Sequence, residues 1–520
     1  MQIASVLFRH ERSSRAAVVS PEQSATFSYD DLSRMSKDLA ADFQHKGVRP
    51  QDRVAILLPT SIEFAAAFFA ASAAGAVVAP LDIYMKRADL LGFLDIIRPS
   101  ALVTSRSLYR KIKLDPSPTK VWLLEFRGCF STSFLDSSSS RDGSEADPDT
   151  GVLPGTWQEP AVAPEEDAVL ILSSGSTGLP KAVRLSHQAV LRNIGMHIES
   201  LEIGENIRGL QVLPMNYSYG LIASFLSILH SGGTAVLLPT PNPGSVLAAV
   251  KQYDVNLVMG TPAMFQYVIE KAPADSDFRT LPVRYLTVGG DRCRRHALNL
   301  ISNRLPSARP YITYGLTEAG PRVSTLPHRF VKQFPESVGL PLRGVEISIL
   351  DERGRTRAPW EAGEIVVKTP SLMNGYFGDP ARTRSVIRNG LCHTGDIGCV
   401  DQRGFLYCLG RKDRQFKFGG RMVNPSLIEQ CIASHPSVRE VTVAKTENGQ
   451  EERICAQVKT REAPKINLPQ ELKKLCRRRV PSHLVPAEFH FEQEDHYYHK
   501  GKKFSPTKEE APDPTADASA

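Results

Sequence analysis

The sequence contains no Cys-x-x-Cys pair, no Cys/His spacing suited to zinc and no concentration of one charge sign that would read as a nucleic-acid footprint. Each absence removes a class. The eight cysteines (Cys129, Cys293, Cys392, Cys399, Cys408, Cys431, Cys455 and Cys476) are left as expected reduced, buried thiols of a cytoplasmic protein. A formal charge of +7 is small for 520 residues and the basic residues are scattered, so nucleic acid is not an expected partner, while anionic small molecules are. The start, MQIASVLFRHERSSR, meets charge before a hydrophobic region can form, which argues against a secretory leader. The best membrane candidate, 64-FAAAFFAASAAGAVVAP-80, is mostly alanine, contains Gly75 and ends at Pro80; a buried helix running into a strand is expected there, and no integral membrane segment. No internal repeat is evident.

With 42% hydrophobic and 23% charged residues, the chain can bury a sizeable core and should divide into more than one domain, as a large soluble enzyme does. Its patterning alternates. Tyr29–His45 reads as a helix, 53-RVAILLP-59 as a strand, Ile62 onward as a helix and 76-AVVAPL-81 as a strand, the rhythm of a layered α/β fold. Around residues 127–165 the periodicity stops and serine, aspartate and glycine take over, which predicts a flexible surface insertion. A second β/α run follows from Asp167 to about Val331, with strands at 168-AVLILSS-174, 234-TAVLLP-239, 256-NLVMG-260 and 285-YLTVGG-290. Short strands and glycine turns between Val338 and Tyr407 predict a β-rich subdomain. The expected division is a large domain over 1–409, a small α+β domain over 410–504, and a disordered tail over 505–520.

One loop stands apart from this patterning. In 171-ILSSGSTGLPKAVRLSH-187 a strand runs into Ser174, Gly175, Ser176, Thr177 and Gly178, and Lys181 opens a second strand-like run. The hairpin tip is rich in backbone N–H groups and hydroxyls, the material of a polyphosphate cradle. It has neither the Gly-Lys-Ser/Thr spacing of a Walker loop nor a following helix, so a P-loop NTPase is disfavoured. The pattern Ser-Ser-Gly-Ser-Thr-Gly-x-Pro-Lys resembles the signature loop of the adenylate-forming enzymes: acyl- and aryl-CoA synthetases, luciferases and peptide-synthetase adenylation domains. Further motifs in the same order strengthen the resemblance: 313-TYGLTEAG-320, 393-HTGDIG-398, 410-GRKDRQFKFGGRMVNPSLIE-429 and 501-GK-502.

That resemblance implies an ATP-dependent acid–thiol ligase, forming acyl-AMP and pyrophosphate and then a thioester with coenzyme A. A carrier-protein phosphopantetheine is the alternative acceptor, and an idle binding relative the alternative of another class. Activation brings a carboxylate against the α-phosphate, two anions that repel, so such a site must supply positive charge and dipoles. By resemblance, Ser174 to Gly178 and Lys181 would restrain the β- and γ-phosphates, and Gly289, Gly290, Asp291, Tyr314 and Gly315 would line the nucleotide, Tyr314 stacking on adenine. Thr317 would bond the α-phosphate, Glu318 with Thr177 would hold Mg²⁺, and Asp396 and Arg411 would meet the ribose. Asp413 would be the hinge on which the small domain turns, presenting Lys502 for adenylation and the Gly419–Gly420 segment as a pantetheine path. In the expected acyl pocket, Tyr217 stands where amino-acid-activating relatives carry aspartate, so with no carboxylate to pair an ammonium an α-amino acid is disfavoured. Arg322 is expected either to meet a polar group on the acid or to turn away into an ion pair. Ala182 and Ser505 depart from the family pattern, and the basic run 473-KKLCRRR-479 could face CoA, an acidic carrier or solvent.

Overall fold

The computed structural model describes residues 2–112, 120–126, 130–135, 156–173, 181–203, 206–418, 421–448, 451–461, 464 and 466–492. Two large mixed sheets dominate. Across one lie the strands Leu340–Pro341, Ser324–Leu326, Arg309–Tyr314, Tyr285–Val288, Leu257–Gly260, Arg208–Gln211, Thr234–Leu237, Ala16–Ser20 and Ala25–Ser28. The six from Arg309–Tyr314 to Ala16–Ser20 are mutually parallel, which brings their C-terminal ends to one edge. Such an edge is where open α/β sheets bind ligands. Across the other lie Gly375–Tyr376, Lys181–Ser186, Asp167–Ser173, Val77–Pro80, Arg53–Leu57, Ala101–Thr104, Lys120–Phe126 and Phe130–Leu135.

One apolar core joins the two sheets. Helices Tyr29–His45, Ile62–Ala73 and His187–Ser200 contribute to it, with strand residues such as Val18 and Leu237 from one sheet and Val54 and Val78 from the other. Each helix starts where a serine caps it: Ser28 in a capping box with Asp31, Ser61 accepting from Phe64 N, and Ser186 accepting from Ala189 N. The alanine-rich run is the second of these helices, with all of its residues but Glu63 buried, and the chain turns at Gly75 into a buried strand. Among the described residues no helix is long and apolar enough to cross a membrane. Seven cysteines are free thiols, six of them buried; Cys129 lies outside the described residues.

A third sheet, built from Glu346–Leu350, Gly363–Lys368, Ile387–Arg388, Leu391–Val400 and Leu406–Arg411, accounts for the expected β-rich region. After it comes a small α+β unit: the hairpin Phe416–Phe418/Arg421–Val423, helices Pro425–Ala433 and Leu468–Arg479, and the sheet Val438–Asn448, Glu451–Thr460 and Glu488–Glu492, with its own core of Ile428, Val443, Val458 and Leu472. Arg414 at its entrance places Nη2 2.6 Å from Oε1 of buried Glu429, an oxygen that also accepts from Val443 N at 2.9 Å.

Within the expected insertion over 127–165, Phe130–Leu135 forms an antiparallel edge strand on Lys120–Phe126. Its Phe134 ring packs on buried Trp122, and Trp157 donates to Ala73 O at 3.0 Å, so both ends of the segment are tied to the body by aromatic side chains. Residues 136–155 and the 505–520 tail lie outside the described residues.

Candidate active site

The motif 313-TYGLTEAG-320 leaves the edge of the first sheet at the end of Arg309–Tyr314 and turns into the short 3₁₀ segment Thr317–Ala319. The turn is tight because Gly315 has no side chain: a Cβ there would stand 2.3 Å from Pro321 O. The chain folds back on itself, and Val323 N donates to Tyr314 O at 2.8 Å. Gly289 and Gly290 follow the neighbouring strand. Gly289 lies against Thr313, and Gly290, at φ +77°, faces the ring of Tyr219. Asp291 next to them is exposed, one oxygen accepting from Arg292 N.

Tyr314, Asp396 and Arg411 form one network. The Tyr314 hydroxyl donates to Asp396 Oδ2 at 2.6 Å, and Arg411 Nη1 stands 3.2 Å from Asp396 Oδ1 while also donating to Thr394 O. Asp396 faces Arg411 because their strands pair there in antiparallel register. Burial raises the pKa of Asp396 in spite of both partners, and burial raises that of Tyr314 further. The Tyr314 hydroxyl is therefore a donor held on a carboxylate. Asp413 lies 3.4 Å from Arg411 Nε, beside the same guanidinium.

A second cluster forms around Glu318. Lys181 begins the returning strand of the glycine-rich hairpin, paired with Ser173, and its ammonium lies 5.6 Å from the centroid of the Tyr376 ring. Arg382 approaches the same ring at 6.0 Å, and the Tyr376 hydroxyl donates to Glu318 Oε1 at 2.8 Å. Burial, with Arg382 next, lowers the Lys181 pKa, and Glu318 opposes them. Tyr376 and Arg382 escape a reading of the sequence, for 375-GYFGDPARTR-384 looks like a turn and a helix start. The signal available is a tyrosine whose strand extends the hairpin sheet through Val183 and Arg184. Thr317 Oγ1 lies 2.8 Å from Ser218 Oγ, tying this turn to the opening of the π-helix Tyr219–Leu226. The donor set fits Mg²⁺: a carboxylate, oriented by a phenol, offers hard oxygens of the kind that ion takes.

Tyr217 and Arg322, the residues expected to line the acyl pocket, have partners of their own. Tyr217 donates to Asp82 Oδ2 at 3.0 Å, so a carboxylate does stand beside this position, supplied by a distant segment. The premise for disfavouring an α-amino acid, that no carboxylate stands near Tyr217, therefore does not hold. Arg322 forms no ion pair among the described residues: its guanidinium carbon sits 3.8 Å above the Tyr219 ring centroid and Nη1 donates to its neighbour's carbonyl, Pro321 O, at 2.7 Å. Lys502, Gly419, Gly420 and the loop residues Ser174, Gly175, Ser176, Thr177 and Gly178 lie outside the described residues.

This geometry belongs to a class of nucleotide-using ligases, and comparison with known proteins agrees. The family model described as AMP-binding enzyme matches residues 8–377, and that of the AMP-binding enzyme C-terminal domain matches residues 427–502. The chain belongs to the AMP-binding enzyme family, as an adenylate-forming ligase of the acyl-CoA synthetase type. Feruloyl-CoA synthase of Amycolatopsis sp is 30% identical, over 82% of this chain and 84% of its own length. 4-Coumarate–CoA ligase 2 of Oryza sativa subsp. japonica is 28% identical, over 80% and 76%. The fold is shared with the crystal structure of ATP-bound MatB from Rhodopseudomonas palustris, at TM-score 0.82 and 22% identity, covering 95% of each chain.

Proposed function

We propose that the protein joins an aromatic or aliphatic carboxylic acid to coenzyme A in two steps. In the first, a carboxylate oxygen attacks the α-phosphorus of ATP and the bond to pyrophosphate breaks, leaving acyl-AMP. In the second, the CoA sulfur attacks the acyl carbon, its proton is lost to solvent, and AMP leaves. The observation that carries this reading is the convergence of Lys181, Glu318 with Tyr376, and Thr317 beside the Asp396 network. The relatives' names support an aryl acid and CoA.

In this reading Lys181 neutralises the β- and γ-phosphates. Thr317, positioned by Ser218, donates to the α-phosphate. Tyr376 holds Glu318 so that its carboxylate faces Mg²⁺, which when bound shields the charge of the phosphate oxygens. Asp396 accepts from the ribose hydroxyls with Arg411 alongside, and Tyr314 offers its ring to adenine. Asp413 is the pivot between the 1–409 and 410–504 units. Lys502 bridges carboxylate and α-phosphate in one orientation, and the Gly419–Gly420 segment admits the pantetheine arm in the other. The cytoplasm, with its ATP and CoA, is the compartment that suits this chemistry.

The test supplies ATP, Mg²⁺ and a panel of aryl, fatty and amino acids, first in pyrophosphate exchange and then with CoA. Free acyl-CoA formed over many turnovers is the expected product; label found only on a phosphopantetheinylated carrier protein would overturn the choice of acceptor. Lys502→Ala should lower exchange by about 10²–10³-fold and spare thioester formation from supplied acyl-AMP. Equal loss of both steps in a folded variant removes Lys502 from the adenylation step.

A further inference from the structure

Arg322 is a cation in a place where cations are expensive. It is 2% exposed, and two of its donors, Nε and Nη2, are buried without a hydrogen-bond partner among the described residues. These two nitrogens form one side of the guanidinium fork, the edge that grips a carboxylate with two parallel bonds. Stacking on Tyr219 and the single bond to Pro321 O leave that edge unmatched, and the Tyr219 hydroxyl is itself placed 3.1 Å from Gly260 O and 3.2 Å from Thr287 O. Burying a guanidinium without an anion costs several kcal/mol, a cost that an anion bound at this edge would offset.

A second side chain repeats the pattern independently. His197 is fully buried and neither ring nitrogen has a hydrogen-bond partner among the described residues. It lies one turn along its helix from Asn193, on the same face, and Asn193 Nδ2 donates to Arg322 O at 2.9 Å. Burial and then the charge of Arg322 hold the imidazole pKa well below its ordinary value, against a backbone interaction with Ala223, so the ring is neutral. The pair is near the reacting centre: Arg322 stacks on Tyr219, the residue after Ser218, whose hydroxyl touches Thr317. Pro321 and Arg322 also pack their backbone against Gly315 of the same turn.

The geometry points to a dicarboxylic substrate: the Nε/Nη2 edge of Arg322, assisted by His197, binds a second carboxylate of the acid whose first carboxylate is adenylated. This rests on the ligase reading above and names its substrate class. Arg322 and His197 are then specificity residues of the acyl pocket, apart from the phosphate chemistry.

The experiment compares each dicarboxylic acid with its own monomethyl ester, which has the same skeleton and no second charge, in pyrophosphate exchange by the unaltered enzyme. Benzene dicarboxylates, carboxycinnamates and straight-chain diacids make the panel. The diacids should exceed their esters in kcat/KM by at least about 100-fold, because an ester leaves the buried cation unpaired. Arg322→Met should erase or invert that ratio, and His197→Phe should reduce it. Esters used as well as diacids by the unaltered enzyme would overturn the proposal while leaving the ligase reading intact. If no acid of any kind supports exchange, the ligase reading falls and takes the proposal with it. The comparison in the unaltered enzyme decides the matter even if Arg322→Met does not fold.

Discussion

The two sides of the Thr317 turn handle buried polar groups in opposite ways. On the proposed nucleotide side both oxygens of Asp396 have donors and Glu318 is held by Tyr376. On the proposed acyl side Arg322 and His197 are buried with ring and guanidinium nitrogens that lack side-chain partners among the described residues. A partnered group is preorganised for a ligand that is always the same, whereas an unpartnered one obtains its partner from the ligand and so discriminates among ligands.

Three substitutions break or sharpen that contrast. Asp396→Asn removes a buried charge that faces the half-exposed guanidinium of Arg411 and should lower kcat/KM for ATP by about tenfold or more without changing the ranking of acids. A changed acid ranking would mean that the two sides are not separate. The unaltered enzyme offers a matching pH test. Burial holds the Asp396 pKa above the ordinary carboxylate value, so AMP affinity, which uses the ionised form, should begin to fall as pH drops while still above that ordinary range; Asp396→Asn should flatten this limb, as calorimetry can read. Tyr376→Phe removes one bond to a carboxylate, and about a tenfold loss in kcat with little change in acid KM is expected from exchange kinetics. Asn193→Ala loses its bonds to Arg322 O and Ser371 Oγ; unfolding in urea should show a cost of about 1–2 kcal/mol, with acid KM rising and ATP KM unmoved. If ATP KM moves instead, Asn193 supports the wrong side for this account.

How far the sequence could be read follows the same division. The helices at Tyr29 and Ile62 and the parallel strands were visible because local periodicity and serine caps agree with the final packing. The motif residues Thr317, Glu318, Asp396 and Arg411 were visible as a family pattern, and the structure gathers them at one edge. What the sequence hid is long-range. Tyr376 reaches Glu318 across 58 positions and Asp82 reaches Tyr217 across 135, and neither spacing leaves a periodic trace. The edge strand Phe130–Leu135 was obscured by the serine-rich composition around it, although its pairing on Lys120–Phe126 holds Phe134 against Trp122. Of the two expectations for Arg322, the ion pair is absent among the described residues, and contact with the acid is the one left for experiment.

The two clamps flanking the proposed pivot bear on how far it can turn. Arg411 is fastened to Asp396 on the large body and Arg414 to Glu429 on the small one, which leaves Lys412 and Asp413 as the only residues between anchored ends. A swing of the small unit must then be delivered as torsion about roughly four backbone dihedrals, like a door hung on a single short pin. The contacts beside the pin differ in exposure: Arg411, Asp413 and Lys412 are about half open to water, Glu364 is largely buried, and farther off Arg461 of the small unit pairs with Glu270 of the large one at 2.6 Å. In the proposed rotation the Arg411 and Arg414 anchors would stay in place, whereas the Arg461–Glu270 pair between the two units would have to open.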